Sequence, residues 1–334
     1  MFSIFEKTKK NKPNTTKFNK KNIRKTKKMV CNPIVAGKTV SNDTCYTPKF
    51  LYKIKMEYNK QHLDNPIIAK HPTKIWHELH DRLTLCSKED CWLRQIDDVN
   101  LRNQINEHIF APKQPPEWKN NPNEWLSNID IIDVLEQYEE KYTEFKLIGP
   151  TFIDFDAKLK DSCVDNELCN FSLLNYIKKG ENKIGVIFNL DRHDQSGSHW
   201  VSLFIDIQDK FIFYFDSAGN KIPKEIRHLV IRIMKQGKKM RKPVNFKFYQ
   251  NYPFEHQMGN TECGMYSLFF MITMLTNKME TQPTHNSHSS GSMTEGADLN
   301  VHRFKNAAEK IYFFKNERIT DEFVEKLRAK YYNV

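Results

Sequence analysis

The feature that most constrains this 334-residue chain is an apolar segment that opens at Cys263 and runs Gly-Met-Tyr-Ser-Leu-Phe-Phe-Met-Ile-Thr-Met to Leu275. A helix that is apolar around its whole circumference is a buried one. From Met265 to Leu275 the run is too short to cross a bilayer. The segment therefore reads as the central helix of a globular core, and no membrane partner is expected. A length of 334 residues allows one large domain or two modest ones. Hydrophobic residues at 39% and aromatics at 12% exclude a chain that stays unfolded.

Hydrophobic period changes along the chain. Residues 31–112 read mainly as helix, with Ile75, Leu79, Leu83 and Leu85 forming an amphipathic pattern and Trp76 and Trp92 serving as apolar anchors. Pro112, Pro115, Pro116 and Pro122 interrupt helix and mark a boundary. A new helix follows from Trp125. After it the pattern turns to strands: Lys183 to Leu190, His199 to Ile207, Lys210 to Phe215 after a tight Gln208-Asp209 turn, and Asn245 to Gln250. Between the last two, Pro223 suits the first turn of a helix whose face is Ile226, Leu229, Val230 and Ile233. A closing helix has Thr320 as its cap, Asp321 and Glu322 at its start and basic residues at its end. The expected fold is α+β: a central mixed or antiparallel sheet flanked by helices, with the Cys263 helix packed against it and a mainly helical N-terminal region.

The formal net charge of +11 is unevenly spread. Residues 1–28 hold eleven lysines and arginines against Glu6, and the rest of the chain is close to neutral. Rich in Lys, Asn and Thr, residues 1–30 read as a disordered basic tail, and residues 1–28 as a place for nucleic acid or nuclear targeting. The polar stretch 279–298 reads as a mobile insertion. Seven cysteines is an odd count. Without the apolar region of a secretory signal, they are expected to be reduced thiols in a soluble protein of a reducing compartment.

One region holds what a cysteine protease requires: a thiolate, a base, a group that orients the base, and donors for the oxyanion. Cys263 stands at the start of the apolar helix, where the helix end favours negative charge and the backbone N–H points at any oxyanion formed on the sulfur. His199 lies at the mouth of a strand after a flexible Asp-Gln-Ser-Gly-Ser stretch. Trp200, beside it, can shield the pair from water. Asp216 ends the next strand, within reach of the imidazole if the two strands are adjacent. Gln257, six residues before Cys263, can turn its amide toward the oxyanion.

These residues also carry a resemblance. His199-Trp200, Phe215-Asp216-Ser217 and Gln257-Met-Gly-Asn-Thr-Glu-Cys263-Gly264-Met-Tyr266, with Trp125-Leu126-Ser127-Asn128 upstream, are similar in order and spacing to ubiquitin-like-protein (SUMO) proteases and adenovirus-type cysteine proteases. The resemblance spans residues 113–334. It implies a papain-like catalytic domain with His199, Asp216 and Cys263 as a triad, Gln257 as the oxyanion residue, and no cofactor or metal. Members commonly have Asp before the nucleophile, where this chain has Glu262. The added N-terminal region and basic tail look like proteases of large DNA viruses. That implies maturation of virion structural precursors at Gly-Gly-type sites, in the host cytoplasm and virion, with the nucleus open. Cleavage of ubiquitin-like conjugates is the alternative, and a nucleic-acid-binding protein on a protease-like scaffold a second.

Other readings of the same residue types remain open. Cys263 can be an ordinary buried thiol, Asp216 a turn cap and Trp200 simple core packing. His193 is a rival base in a charged loop. His77, His80, Cys86 and Cys91 offer zinc ligands, although His-Glu-Leu-His lacks the spacing of a zinc hydrolase helix. Cys31, Cys45, Cys163 and Cys169 read as structural thiols.

Overall fold

The computed structural model describes residues 29–280 and 301–334, and one mixed five-stranded sheet organises it. Its strands, in spatial order, are β1 (Phe145–Phe152), β2 (Lys183–Asn189), β3 (Trp200–Asp206), β4 (Phe211–Phe215) and β5 (Lys247–Gln250). The central three pair antiparallel, and β1 and β5 add in parallel at the edges. Helices α1 (Pro48–Gln61), α2 (Pro72–Arg82) and α3 (Val99–Ile109) precede the sheet, and α4 (Asn128–Lys141) leads into it. Helix α5 (Lys224–Lys238) lies between β4 and β5, and α6 (Cys263–Thr276), α7 (Ala307–Asn316), α8 (Asp321–Lys326) and α9 (Arg328–Tyr331) follow. The architecture is the expected α+β one.

Alternation along the central strands creates two cores. Val201, Leu203, Ile205, Ile212 and Tyr214 face one side, where α5 covers them with Ile226, Leu229, Val230 and Ile233. Trp200, Phe204, Phe211, Phe213 and Phe215 face the other, against α6. Strands buried on both faces carry near-continuous apolar runs, which is why these segments are legible. Helix α6 is buried on every side, with α4, α7 and α8 supplying its outer cover. It comes so close to β2 that a Cβ on Gly185 would lie 2.9 Å from Met271 Sδ. At its C-terminus Asn277 takes the left-handed conformation (φ 58°), and Lys310 Nζ donates to Met274 O at 2.8 Å, placing a cation at the negative end of the helix.

The N-terminal helices have their own apolar cluster, in which Tyr46 stacks on Trp92 and meets Phe110 edge-on. Within it buried Glu89 accepts hydrogen bonds from Cys45 N and Trp76 Nε1. Burial raises the Glu89 carboxyl above its ordinary range, against these hydrogen bonds. Asn333 stitches this region to the chain's end: its side chain bonds Val30 N, Val30 O and Ala111 O, and its backbone bonds Pro112 O and Gln114 N.

Several expectations need adjustment. Residues 1–28 of the expected tail 1–30 and most of the insertion 279–298 lie outside the described residues. Met29 is packed in the N-terminal core, and Met279 and Glu280 belong to a short strand paired with Val301–Arg303. Helix α4 begins three residues after Trp125, at a Ser127–Asp130 capping box. Strand β1 and helix α7 have no counterpart in the sequence reading. The expectation of reduced thiols is corrected: Cys31–Cys45, Cys86–Cys91 and Cys163–Cys169 are disulfides, with Cα–Cα distances of 5.2, 5.5 and 6.3 Å. An odd total is what remains when six cysteines pair and one stays free. Cys86 and Cys91, bonded to each other, are thereby unavailable as zinc thiolates, and among the described residues no cluster is suited to a metal ion. No described helix is long and apolar enough to cross a membrane.

The pairing is directly testable. Alkylating the unreduced, denatured chain should titrate one thiol per molecule. Seven would contradict the disulfides.

Candidate active site

The antiparallel β3–β4 pair does most of the positioning. Ser202 lies opposite Phe215, so the residue after β4 and the residue before β3 meet at the same end of the sheet. There His199 Nε2 and Asp216 Oδ1 are 2.7 Å apart. The loop before His199 is closed by Leu190 N donating to His199 O at 2.9 Å, and by Asn189 Oδ1 accepting from Asp191 N and Ser198 N. Gly197 adopts φ +95° in that loop, and a Cβ there would sit 2.9 Å from Asn189 Nδ2.

Asp216 is fully buried. Its Oδ1 also accepts from Ala218 N at 2.9 Å, and its backbone exchanges hydrogen bonds with the Asn251 side chain at 3.0 and 2.7 Å. A buried carboxylate held this way cannot turn from the imidazole. Burial works against a charged His199, but hydrogen bonds to Asp216 and Cys263 and the negative charge of both outweigh it and lift the ring to about 10. Relative to an unfolded value near 6.5 the shift is upward. The pairing therefore adds stability that is full below that value and fades as pH rises through about 10.

Cys263 is the first residue of α6 and 2% exposed, and its sulfur is near enough to the His199 ring to help raise the ring's pKa. It is the one free cysteine. The helix start is pressed against the segment before α4: a Cβ on Gly264 would lie 2.8 Å from Leu126 Cβ. Trp200 Nε1 donates to Leu126 O at 2.9 Å, so the indole is pinned beside the thiol. From Trp200 a cleft of about 410 Å³ runs past Trp125, Leu126, Pro150 and Gly197.

Gln257 lies behind this group. Its Oε1 accepts from Ser217 Oγ at 2.7 Å, which orients the amide, and one Nε2–H goes to Gly259 O at 3.0 Å. The second Nε2–H has no acceptor among the described residues. The loop is held by Asp321, whose carboxylate accepts from Met258 N, Gly259 N and Tyr266 Oη. His256, driven down to about 4 by burial, is neutral and bridges Phe314 O and Ile319 N.

All five residues singled out by sequence, His199, Trp200, Asp216, Gln257 and Cys263, thus fall in one neighbourhood. The rival base His193 does not join them: its Nδ1 lies 2.7 Å from Asp154 Oδ2. Sequence reasoning missed Ser217, Asn251 and Asp321 as supports, and missed the partner of Glu262. Arg328 meets that carboxylate at 3.0–3.3 Å through Nε and Nη2, and both side chains are buried. The guanidinium lies 4.3 Å over Trp118. An acidic residue beside Cys263 is visible in the sequence, but a partner 66 residues away is not.

A papain-like arrangement of a cysteine at a helix start, a histidine and a buried carboxylate defines a cysteine protease class, and comparison with known proteins agrees. Residues 182–307 match the Ulp1 protease family, C-terminal catalytic domain. A thiol-protease relative in Acanthamoeba polyphaga mimivirus is 29% identical over 75% of this chain and 85% of its own length. The SUMO-1 cysteine protease of African swine fever virus is 31% identical over 58% of this chain and 74% of its own. The crystal structure of that virus's protease superposes with a TM-score of 0.57 at 22% identity, covering 92% of this chain and 96% of the other. A share that large takes in the N-terminal helices, which the sequence resemblance did not reach. The chain belongs to the Ulp1 protease family and is a cysteine endopeptidase.

Replacing Arg328 by Met should leave Glu262 buried without its counter-charge. Loss of one partner from a buried pair costs about 3–5 kcal/mol. Urea unfolding of Arg328→Met should show a loss of that order, partly recovered by adding Glu262→Gln. A loss below about 1 kcal/mol would contradict the pairing.

Proposed function

We propose that Cys263 is the nucleophile, His199 the general base and acid, Asp216 the orienting carboxylate and Gln257 an oxyanion donor, in an enzyme that matures virion structural precursors. The observation that carries the reading is that the free cysteine stands at a helix N-terminus against a histidine already bonded to a buried aspartate. With Nε2 engaged by Asp216, Nδ1 is the ring nitrogen left for the sulfur. A proton held on the ring stabilises negative charge on sulfur, which is the nucleophilic form.

The steps follow from these contacts. The Cys263 sulfur adds to the scissile carbonyl carbon, and the oxyanion receives the Cys263 N–H and the unused Nε2–H of Gln257. The imidazolium gives its proton to the departing amine as the C–N bond breaks, leaving a thioester. The now neutral ring takes a proton from water, whose oxygen attacks the thioester; the C–S bond breaks, the acid leaves, and the Cys263 thiolate is restored beside the imidazolium. Trp200 and Leu126 exclude bulk water from this exchange.

For the substrate, relatives of viral origin support structural precursors, and a cleft walled by Trp125, Leu126 and Trp200 supports small residues beside the cut, as at Gly-Gly sites. Deconjugation is the second reading, supported by the name SUMO-1 cysteine protease carried by relatives 31% identical. Incubation with a Gly-Gly-containing polyprotein and with a SUMO conjugate separates the two. Preferential release of SUMO would favour the second.

Two variants test the chemistry. Cys263→Ala should abolish cleavage with the fold intact, and any substantial residual turnover would contradict the assignment. For the parent, kcat/KM should decline as pH rises through about 10, where His199 loses its proton. Asp216→Asn removes a hydrogen bond and a charge that favour the imidazolium, so its alkaline limb should move to lower pH. An unmoved limb would show that Asp216 does not control the ring.

A further inference from the structure

The near-neutral charge of the body conceals a strong local separation. Residues 221–247 contain ten lysines and arginines (221, 224, 227, 232, 235, 238, 239, 241, 242 and 247) against Glu225. Most of them lie on α5 or just beyond it. The inner face of that helix is Ile226, Leu229, Val230, Ile233 and Gly237, so the polar residues are forced outward. Arg227, Lys235, Lys238, Lys239, Arg241 and Lys242 line the outer side, and among the described residues none of them forms an ion pair. Arg232 is different: its guanidinium donates to Leu168 O and Cys169 O and anchors the helix. A shallow depression of about 450 Å³ runs between His228, Ile231, Lys235 and Lys239.

We propose that this outer face of α5 is a binding surface for double-stranded DNA. The helix is about 22 Å long at 1.5 Å per residue, the rise of roughly six base pairs. Arg227, Lys235 and Lys238 on the helix, with Lys239, Arg241 and Lys242 just beyond its end, are exposed cations without an ion pair among the described residues, and such cations release phosphate counterions. An exposed helix face suits the wide major groove and backbone of B-form DNA, whereas A-form RNA has a narrow one. Single strands are bound chiefly by aromatic stacking, and α5 carries no Phe, Tyr or Trp. An anionic membrane would call for several protruding apolar groups, and α5 exposes only Ile231 as a large hydrophobic. Because α5 covers the face of the sheet opposite α6, DNA bound there leaves the cleft at Trp200 open. The surface is a tether that does not touch the catalytic groups, and it does not depend on their assignment.

The test compares full-length parent, the variant Arg227→Gln/Lys235→Gln/Lys238→Gln/Lys239→Gln, and a full-length variant with the basic residues of 1–28 changed to Gln. Affinity for a 20-base-pair DNA duplex is measured across salt concentrations. The α5 variant should bind at least tenfold more weakly at about 0.1 M salt, and its salt slope should fall by about 3–4, near 0.9 for each contact removed. Its thermal unfolding and peptide cleavage should match the parent. An affinity within twofold of the parent, with binding lost only in the 1–28 variant, would overturn the proposal. So would tighter binding of duplex RNA, single-stranded DNA or phosphatidylserine vesicles through the same four residues.

Discussion

Helix α6 has no polar face, and the catalytic half of the fold follows from the need to cover it. The sheet takes one side, and α4, α7 and α8 take the others. Each Phe, Leu or Met so buried contributes about 1.5–3 kcal/mol, which fixes the helix along its length. Only its ends can take part in polar chemistry. At the C-terminal end Asn277 and Lys310 close the backbone. At the other end the first residue is Cys263, and the glycine after it lets Leu126 and α6 approach to a distance no side chain would allow. The sulfur is thus placed by packing, which is more exact than placement by a loop.

The polar groups around it arrive from two directions. The β3–β4 pair delivers His199 and Asp216 to one end of the sheet, where pleat and register set their separation. Residues 321–334 deliver Asp321 to the loop carrying Gln257 and Arg328 to Glu262. The same stretch continues through Tyr332, whose hydroxyl bonds Asp130 O, to Asn333, which bonds Val30 and Ala111. The N-terminal helices are therefore connected to Glu262, the residue before Cys263, by a short run of contacts.

What could be read in the sequence follows the range of the interactions. Strands β2, β3 and β4 and helices α5 and α6 are set by local apolar period, and each was found within a residue or two. His199, Asp216 and Cys263 could be named because their residue types are rare in those contexts and their order is a family pattern. Strand β1 carries Gly149-Pro150 in its middle and pairs in parallel at an edge, so its alternation is broken. Ser217, Asn251 and Arg328 act through hydrogen bonds and an ion pair between segments far apart in sequence, which no local pattern encodes. The cysteines misled for a related reason: the three pairs are near in sequence, but pairing is a fact of three-dimensional approach. Net charge misled as well, because a neutral sum says nothing about the cationic side of α5.

The central claim is that Cys263, the cysteine left outside the three disulfides, is made reactive by its neighbours. The most direct measurement is to treat the native, unreduced chain with limiting iodoacetamide, follow peptide cleavage, and map the modified residue by mass spectrometry. Carbamidomethylation at Cys263 in proportion to lost activity, slowed in a His199→Ala variant, is the expected result. Full modification of Cys263 with cleavage retained would contradict the account.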